Sequence, residues 1–382
     1  MNLPKVNRQK LFYALAAPVT ALIVALTVTG LALLAGGHNP FVAYGKMIHY
    51  AASTDSLAVI VNKSLPLFIS GLAVAIGFKM NLFNIGVDGQ YRLATIIAAA
   101  AGAQVHLPGP IHIAFVMLIA MVVGALYASI AGVLKAYRNV NEVIATIMLN
   151  GIAASLIGLL VNWKRLFEAS GFSRRTKTLP KSAWMPTLNR VVSWVGFHFP
   201  KGTVLYGWLV IAIVIGVGFH FVITRTRFGF DLRASGVNPG AALVSGVDPR
   251  RMIVRTMLIS GALAGLVGMP ILLNDTHKFT TEFPLGYGFA GSAVALVGRQ
   301  KAGGIALAAV LFALIERSAQ VLPDPPLHAP KEVGTIMQGT MILSAVIAYE
   351  VIRRRALAAA VHEAANATAP TGHSTSTTGA TA

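Results

Sequence analysis

Apolar blocks alternate with short polar breaks along most of this chain. Blocks of about 20 apolar residues have the length of a helix that crosses a bilayer. Ten such segments are legible, at roughly 11–35, 57–78, 81–103, 111–134, 143–161, 205–223, 254–273, 285–298, 303–319 and 332–352. Pro66 lies inside the second and predicts a kink there. The pair 285–298 and 303–319 is short, and GRQKAGG (Gly298–Gly304) separates its members. Alternating strands of about 10 residues, the mark of a membrane barrel, are absent from the sequence. The pattern therefore predicts an all-α polytopic membrane protein with about ten transmembrane helices.

One break differs from the others. Asn81–Gln90, NLFNIGVDGQ, is polar and glycine-rich between two apolar runs. Two asparagines, an aspartate and a glutamine at bilayer depth are costly unless protein or a watery cavity surrounds them. Two readings stand. In one, the break is a packing joint: Gly86 and Gly89 lie on nearly one face, let backbones approach, and the polar groups satisfy each other. In the other, it is a broken helix lining a passage for a small molecule. Asn84, Asp88 and Gln90, with Asn150 from the middle of the fifth segment, are the candidate pathway residues. Asp88 and Arg92 stand four apart and are expected to pair on one helix face. That pairing makes Asp88 a structural residue before a substrate contact.

Composition agrees with a membrane chain. Of 382 residues, 55% are hydrophobic and 12% charged, about half the charged share of a soluble domain. The net charge of +18 belongs to residues flanking membrane helices rather than to nucleic-acid binding, because no basic helix with interleaved aromatics occurs. Lys5, Arg8 and Lys10 precede an apolar run too long for a cleavable signal, so residues 1–10 are expected to be cytoplasmic. With the N-terminus inside, 18 of the 31 Lys+Arg fall inside and the C-terminus is cytoplasmic too. The membrane domain then covers 11–355. It includes an external loop at 162–204, whose Trp163, Trp184 and Trp194 suit the membrane interface, and a cytoplasmic loop at 224–255. Residues 356–382, Ala/Thr-rich, read as a disordered tail in which the Asn366–Thr368 glycosylation triplet carries no weight.

A faint internal repeat is present. Ile69-Ser70-Gly71 recurs as Ile259-Ser260-Gly261, and Gly86-x-x-Gly89 as Gly288-x-x-Gly291. The two copies run in opposite directions in this topology, a candidate inverted repeat.

Catalytic chemistry is not encoded. There is no cysteine, no Walker A motif and no H-E-x-x-H, and the ten histidines are scattered, so neither catalytic residues nor a metal or cofactor site is expected. Asn141 and Glu142 read as the cap and first turn of the fifth segment. In the 224–255 loop, Asn238–Ser245 predicts a short helix capped by Asn238 with Pro239 first, a shape suited to docking a partner.

Three blocks carry a family resemblance: FNIGVDGQ (Phe83–Gln90), NEVIATIMLN (Asn141–Asn150), and GFDLRASGVNPGAALVSGV (Gly229–Val247) followed by ISGALAGLVG (Ile259–Gly268). With the helix layout they cover roughly Leu11–Arg355. The chain resembles the integral permease subunits of bacterial ABC importers for branched-chain amino acids, simple sugars and nucleosides. It is most similar to the nucleoside branch that works with basic membrane lipoproteins. The resemblance implies a cytoplasmic-membrane subunit that pairs with a second, related permease. It also implies a cytoplasmic ABC ATPase that holds the ATP and Mg, and an external substrate-binding lipoprotein. The coupling helix would lie in the 224–255 loop, where Gly229, Arg233, Gly236, Asn238, Pro239, Ala241, Ala242 and Gly246 match. Asp88 departs from the pattern, which usually has Glu. The rival readings are an ion-coupled secondary transporter acting alone, with Asp88 as its main acid, and a membrane enzyme. The thirteen dispersed acids do not support the enzyme.

Overall fold

The computed structural model describes residues 8–344, apart from 164–166, 171–172, 195, 197–198 and 201, together with residue 347. Residues 1–7, the last part of the 332–352 segment, the tail from 356 and the Asn366–Thr368 triplet lie outside the described residues.

Among the described residues the fold is almost wholly helical. The membrane part contains α1 (Arg8–Ala35), α2 (Pro40–Ala51), α3 (Thr54–Phe78), α4 (Val87–Gly102), α5 (Gly109–Arg138) and α6 (Glu142–Val161). A two-stranded antiparallel hairpin, β1 (Phe167–Ser170) and β2 (Ser173–Thr176), follows with the short α7 (Asn189–Trp194). Then come α8 (Trp208–Arg225), α9 (Arg227–Val237), α10 (Pro239–Val244), α11 (Pro249–Gly265), α12 (Met269–Ile271), α13 (Tyr287–Val297) and α14 (Ala302–Ala319). Helical residues 333–344 close the described part.

Six stretches among the described residues are long and apolar enough to span a membrane: α3, α5, α6, α8, α14 and Pro249–Thr276, which runs from α11 through a π-helical turn. That is fewer than the ten segments expected. The shortfall has a physical source in α4 and α13, which are 16 and 11 residues long. A helix rises about 1.5 Å per residue, so neither crosses the full hydrocarbon thickness. Both are cut short by the glycine-bearing breaks that precede them.

α3 and the Pro249–Thr276 stretch run through the centre, with 78% and 72% of their apolar windows buried; α5, α6 and α8 form the rim at 28% each. α3 continues as one helix through Pro66. The side chain of Asn62, one turn earlier, reaches out of the helix. Its Nδ2 donates to Val204 O at 2.6 Å and its Oδ1 accepts from Tyr206 N at 3.0 Å. Small residues set the tightest crossing: a Cβ on Gly124 of α5 would meet Gly265 Cα at 2.9 Å, and Gly261 and Gly124 lie in mutual contact.

Two stretches outside the ten expected segments are ordered. α2 is capped by Asn39, whose Oδ1 accepts from Phe41 N at 2.9 Å. The 162–204 segment holds the hairpin and α7. It docks through main-chain bonds from Thr176 N to Phe279 O, Leu179 N to His277 O and Met185 N to Leu273 O. Trp184 stacks on His277 with centroids 3.8 Å apart, while Trp163 and Trp194 stay exposed.

Candidate functional site

After α3 the chain turns sharply. Leu82 N donates to Gly77 O at 2.9 Å, and Asn81 adopts a left-handed φ of 55°. Non-helical backbone then runs to Gly86 before α4 begins. Such backbone inside a helical bundle must find partners for every N–H and C=O, and Asn150 of α6 supplies two of them.

Asn84 and Gln90, both fully buried, form a reciprocal amide pair: Asn84 Nδ2 donates to Gln90 Oε1 at 3.0 Å, and Gln90 Nε2 donates to Asn84 Oδ1 at 2.8 Å. Asn84 Nδ2 also donates to Ser260 Oγ at 2.9 Å, and that hydroxyl donates to Ala73 O at 2.7 Å. Asn150 clamps the break from α6. Its Nδ2 donates to Ile85 O at 3.0 Å, and its Oδ1 accepts from Gly89 N at 2.8 Å. Gly86 and Gly89 both turn toward α6, where added Cβ atoms would meet Thr146 Cβ at 3.1 Å and Ala153 Cβ at 2.9 Å. The packing joint expected of these glycines is present.

Asp88 does not pair with Arg92, contrary to the spacing argument. No ion pair joins them among the described residues, and Arg92 Nε is buried without a hydrogen-bond partner. Asp88 instead reaches across to the start of α13. Its Oδ1 accepts from Gly286 N at 2.9 Å and its Oδ2 from Phe289 N at 3.3 Å. The carboxylate thus sits at two helix N-termini, in the first turn of its own α4 and against that of α13. Both ends carry positive partial charge and unpaired N–H groups. That setting offsets the burial of the carboxylate, and the local pairing with Arg92 is not formed. Gly288 permits the approach: a Cβ there would stand 2.6 Å from Asp88 N.

The repeated motifs meet here. Ser70 Oγ donates to Tyr287 O at 2.7 Å, at the entry of α13, while Ser260 serves Asn84, before the entry of α4. Each serine of the Ile-Ser-Gly pair therefore holds the half-helix of the other copy.

A second cluster lies at one end of the bundle, in the 224–255 stretch. It is more helical than its polarity suggests. Thr226 caps α9 by accepting from Gly229 N at 3.2 Å. Asn238 caps α10 by accepting from Ala241 N at 3.1 Å, with Pro239 first, as expected. Gly246 ends α10 with φ +82°, and Val247 N donates to Ala242 O at 2.9 Å. Gly229 packs on the last carbonyls of α8, and the Arg233 guanidinium donates to one of them, Ile223 O. Ala242 is buried, while Val237, Leu243 and Val244 are 86%, 62% and 92% exposed. The short helix is thus anchored on one side and presents an apolar edge on the other.

The two clusters are tied by a residue the sequence reading passed over. Asn81 Nδ2 donates to Gly236 O at 2.7 Å, and a Cβ on Gly236 would meet Met80 Cα at 2.7 Å. Its signal was present as an asparagine just past a helix end, but its partner lies 155 residues away.

At the opposite end a polar cavity of about 560 Å³ is lined by Asn62, Lys63, Tyr206, Asp275, Tyr287 and Glu316, among others. Lys63 forms an ion pair with Glu316. None of Asn84, Asp88, Gln90 or Asn150 lines it. His112 is structural, bonded to Gly102 O at 2.9 Å and Ser182 Oγ at 2.8 Å. Among the described residues no group of three or more His, Asp or Glu is placed to hold a metal ion. Glu142 pairs with Lys135 at 3.0 Å, and Asn141 caps α6 through Val143 N at 2.9 Å.

Residues 56–346 match the family model described as branched-chain amino acid transport system / permease component. The guanosine ABC transporter permease protein NupP of Bacillus subtilis is 31% identical over 87% of this chain and 93% of its own length. The nucleoside ABC transporter permease protein NupB of Lactococcus lactis is 30% identical over 91% of this chain and 95% of its own. The glucose ABC transporter permease protein TsgB13 of Haloferax volcanii is 31% identical over 78% of each.

Proposed function

We infer from this match that the chain, which belongs to the branched-chain amino acid transport system permease family, is the membrane permease subunit of an ATP-driven ABC importer for nucleosides or simple sugars. Nucleosides come first, because the guanosine and nucleoside permeases align along nearly the whole chain. The observation that carries the coupling role is α10, six residues long, capped by Asn238, braced on α8 through Gly229 and Arg233, with Leu243 and Val244 bare. Its apolar edge fits a groove in a cytoplasmic ATPase, which holds the ATP and Mg. The bonds through Asn81 and Gly236 then pass motion of α10 to the polar break.

The α9–α10 end is cytoplasmic in this reading, with both chain termini on that side. Ten membrane segments result when the half-length α4 and α13 are counted with α1 and the helix from residue 333. The exchanged serine bonds support an inverted repeat about the break. Substrate passes by alternating access between this subunit and a second, related permease, delivered by an external lipoprotein. Gly151 and Gly158 on α6 have nothing within 4 Å of an added Cβ and Ser155 is exposed, which leaves a small-residue face for that partner. Asn84, Asp88, Gln90 and Asn150 shape the passage by holding the break rather than by touching cargo. An ion-coupled transporter acting alone would need a free intramembrane acid, and both oxygens of Asp88 are engaged by backbone N–H groups.

The test replaces Leu243 and Val244 with Asp in the assembled transporter. Nucleoside uptake and transport-linked ATP hydrolysis are expected to fall at least about tenfold, the size of effect that loss of a buried interface anchor produces, while the permease still reaches the membrane. Normal uptake from that variant would overturn the coupling assignment.

A further inference from the structure

The end of the bundle that carries α9 and α10 holds a second cavity, of about 650 Å³, lined by Lys79, Arg233, Lys301 and His220, with Gln300 and Thr224 beside them. No carboxylate lines it. Among the described residues none of Lys79, Arg233 and Lys301 is in an ion pair. The three cations come from separate parts of the chain: the end of α3, the middle of α9 and the start of α14. Nothing local forces them together. Burial, and then the charges of Arg233 and Lys301, hold the Lys79 ammonium below its usual pKa. Like charges so gathered without an acid are a standing cost that an anion would relieve.

Helix α14 adds to the attraction. It is 18 residues long, its cap residue Lys301 makes no side-chain capping bond, and Ala302, Gly303 and Gly304 line the cavity at its N-terminus. Unpaired N–H groups and the positive end of the helix dipole therefore face the same space. The chain enters the helix through Arg299 and Gln300, two successive non-glycine residues at φ +54° and +55°. Such consecutive left-handed residues are held only where the surroundings dictate them.

The cavity does not stop at the cations. His220, Ala302 and Gly303 also line an apolar groove of about 570 Å³ that continues along α3, α8 and α14 past Phe68, Ile213 and Val217. A cationic cup joined end to end with an apolar groove is complementary to one kind of molecule, an acid with a hydrocarbon tail. A basic pocket between membrane helices recognises phospholipid headgroups on these grounds.

We propose that Lys79, Arg233 and Lys301 with the N-terminus of α14 bind the phosphate of an anionic phospholipid, whose acyl chain lies in the groove between α3, α8 and α14. The site needs only a membrane around the chain, not the transport reading, and its test measures no uptake. The lipid would sit against Arg233, on the same helix that leads into α10, so its occupancy bears on the position of the α9–α10 segment.

The full chain, purified in neutral detergent, is titrated with phosphatidylglycerol, phosphatidylcholine and inorganic phosphate, and bound species are counted by native mass spectrometry. Phosphatidylglycerol is expected to bind at least about tenfold tighter than phosphatidylcholine. K79Q/K301Q should weaken phosphatidylglycerol by roughly thirtyfold, since two cations near the headgroup are removed. K79R/K301R, which keeps the charges, should retain it and shows that loss is not misfolding. Gly303→Leu, filling open space in the groove, should weaken the lipid and leave phosphate unaffected. Equal binding of the two lipids, or unchanged affinity in K79Q/K301Q, would overturn the proposal. So would phosphate binding as tightly as phosphatidylglycerol with no effect of Gly303→Leu, which would make this a site for a free anion.

Discussion

Two polar clusters share this bundle and solve opposite problems. At its centre, Asn84, Asp88, Gln90 and Asn150 each find partners in the protein, and their bonds reach α6, α11 and α13. At the α9–α10 end, Lys79, Arg233 and Lys301 share a cavity with no counter-charge. The first cluster is closed: its groups are spent on one another and on backbone. The second is open, and its charge has no answer within the described residues. The contrast teaches where to look for ligands. A polar group at membrane depth draws the eye, but once satisfied it is structure; an uncompensated charge near the surface is where chemistry is left over.

The largest expected effect tests the closed cluster. Asp88→Leu removes the acceptor for Gly286 and Phe289 and leaves two part-buried N–H groups bare. A loss of about 2–4 kcal/mol is expected, because a donor left without a partner costs about 1–3 kcal/mol when buried and less when part-buried. Thermal unfolding of the detergent-solubilised chain reads it. A loss below about 1 kcal/mol would mean that the cluster is looser than its bonds indicate. Asn150→Ala comes next, with about 2 kcal/mol, since neutral bonds to Ile85 O and Gly89 N are lost rather than charged ones.

A smaller effect lies beyond both clusters, at the docked 162–204 segment. Burial holds the His277 imidazole below its usual pKa, with the Asp275 charge opposing. The neutral ring is therefore favoured in the fold. Its contribution is complete above about pH 6.5, and fades as pH falls through the lower folded value. Trp184, stacked on that ring, reports the change. Its emission should shift on acidification below pH 6.5, and His277→Phe should abolish the shift. A pH-independent emission in the parent chain would detach the segment from His277.

The smallest effect concerns the open cluster. Lys79→Gln in lipid-free detergent should change stability by no more than a few tenths of a kcal/mol, with a gain the expected sign, because the ammonium is partly exposed and faces only like charges. The same substitution in phosphatidylglycerol should destabilise. The comparison breaks if Lys79→Gln costs as much as Asn150→Ala without lipid.

Local chemistry was legible in the sequence and long-range partnership was not. Asn238 before Pro239 and Asn141 before Glu142 announced their caps, because a cap is made within three residues. The glycines at 86 and 89 announced close packing. Asp88 was assigned to Arg92 because only neighbours along the chain can be seen in a string of letters. Its actual donors are 198 and 201 residues on, at the start of a segment that the sequence showed only as a short apolar block. The α9 helix was hidden for a different reason: charged, small and apolar residues are mixed along it, and the Thr226 cap and the packing on α8 hold it helical. The cationic cavity was invisible altogether, since its three cations are scattered from residue 79 to residue 301.

The bond from Asp88 to Gly286 also sets a timetable. A ribosome working at about 5–20 residues per second needs roughly 10–40 s to make the 198 residues between the two. Through that interval the polar break has been synthesised while its partner has not, so α4 cannot settle in the hydrocarbon on its own. The polar break is therefore completed only when the second half of the chain has been made.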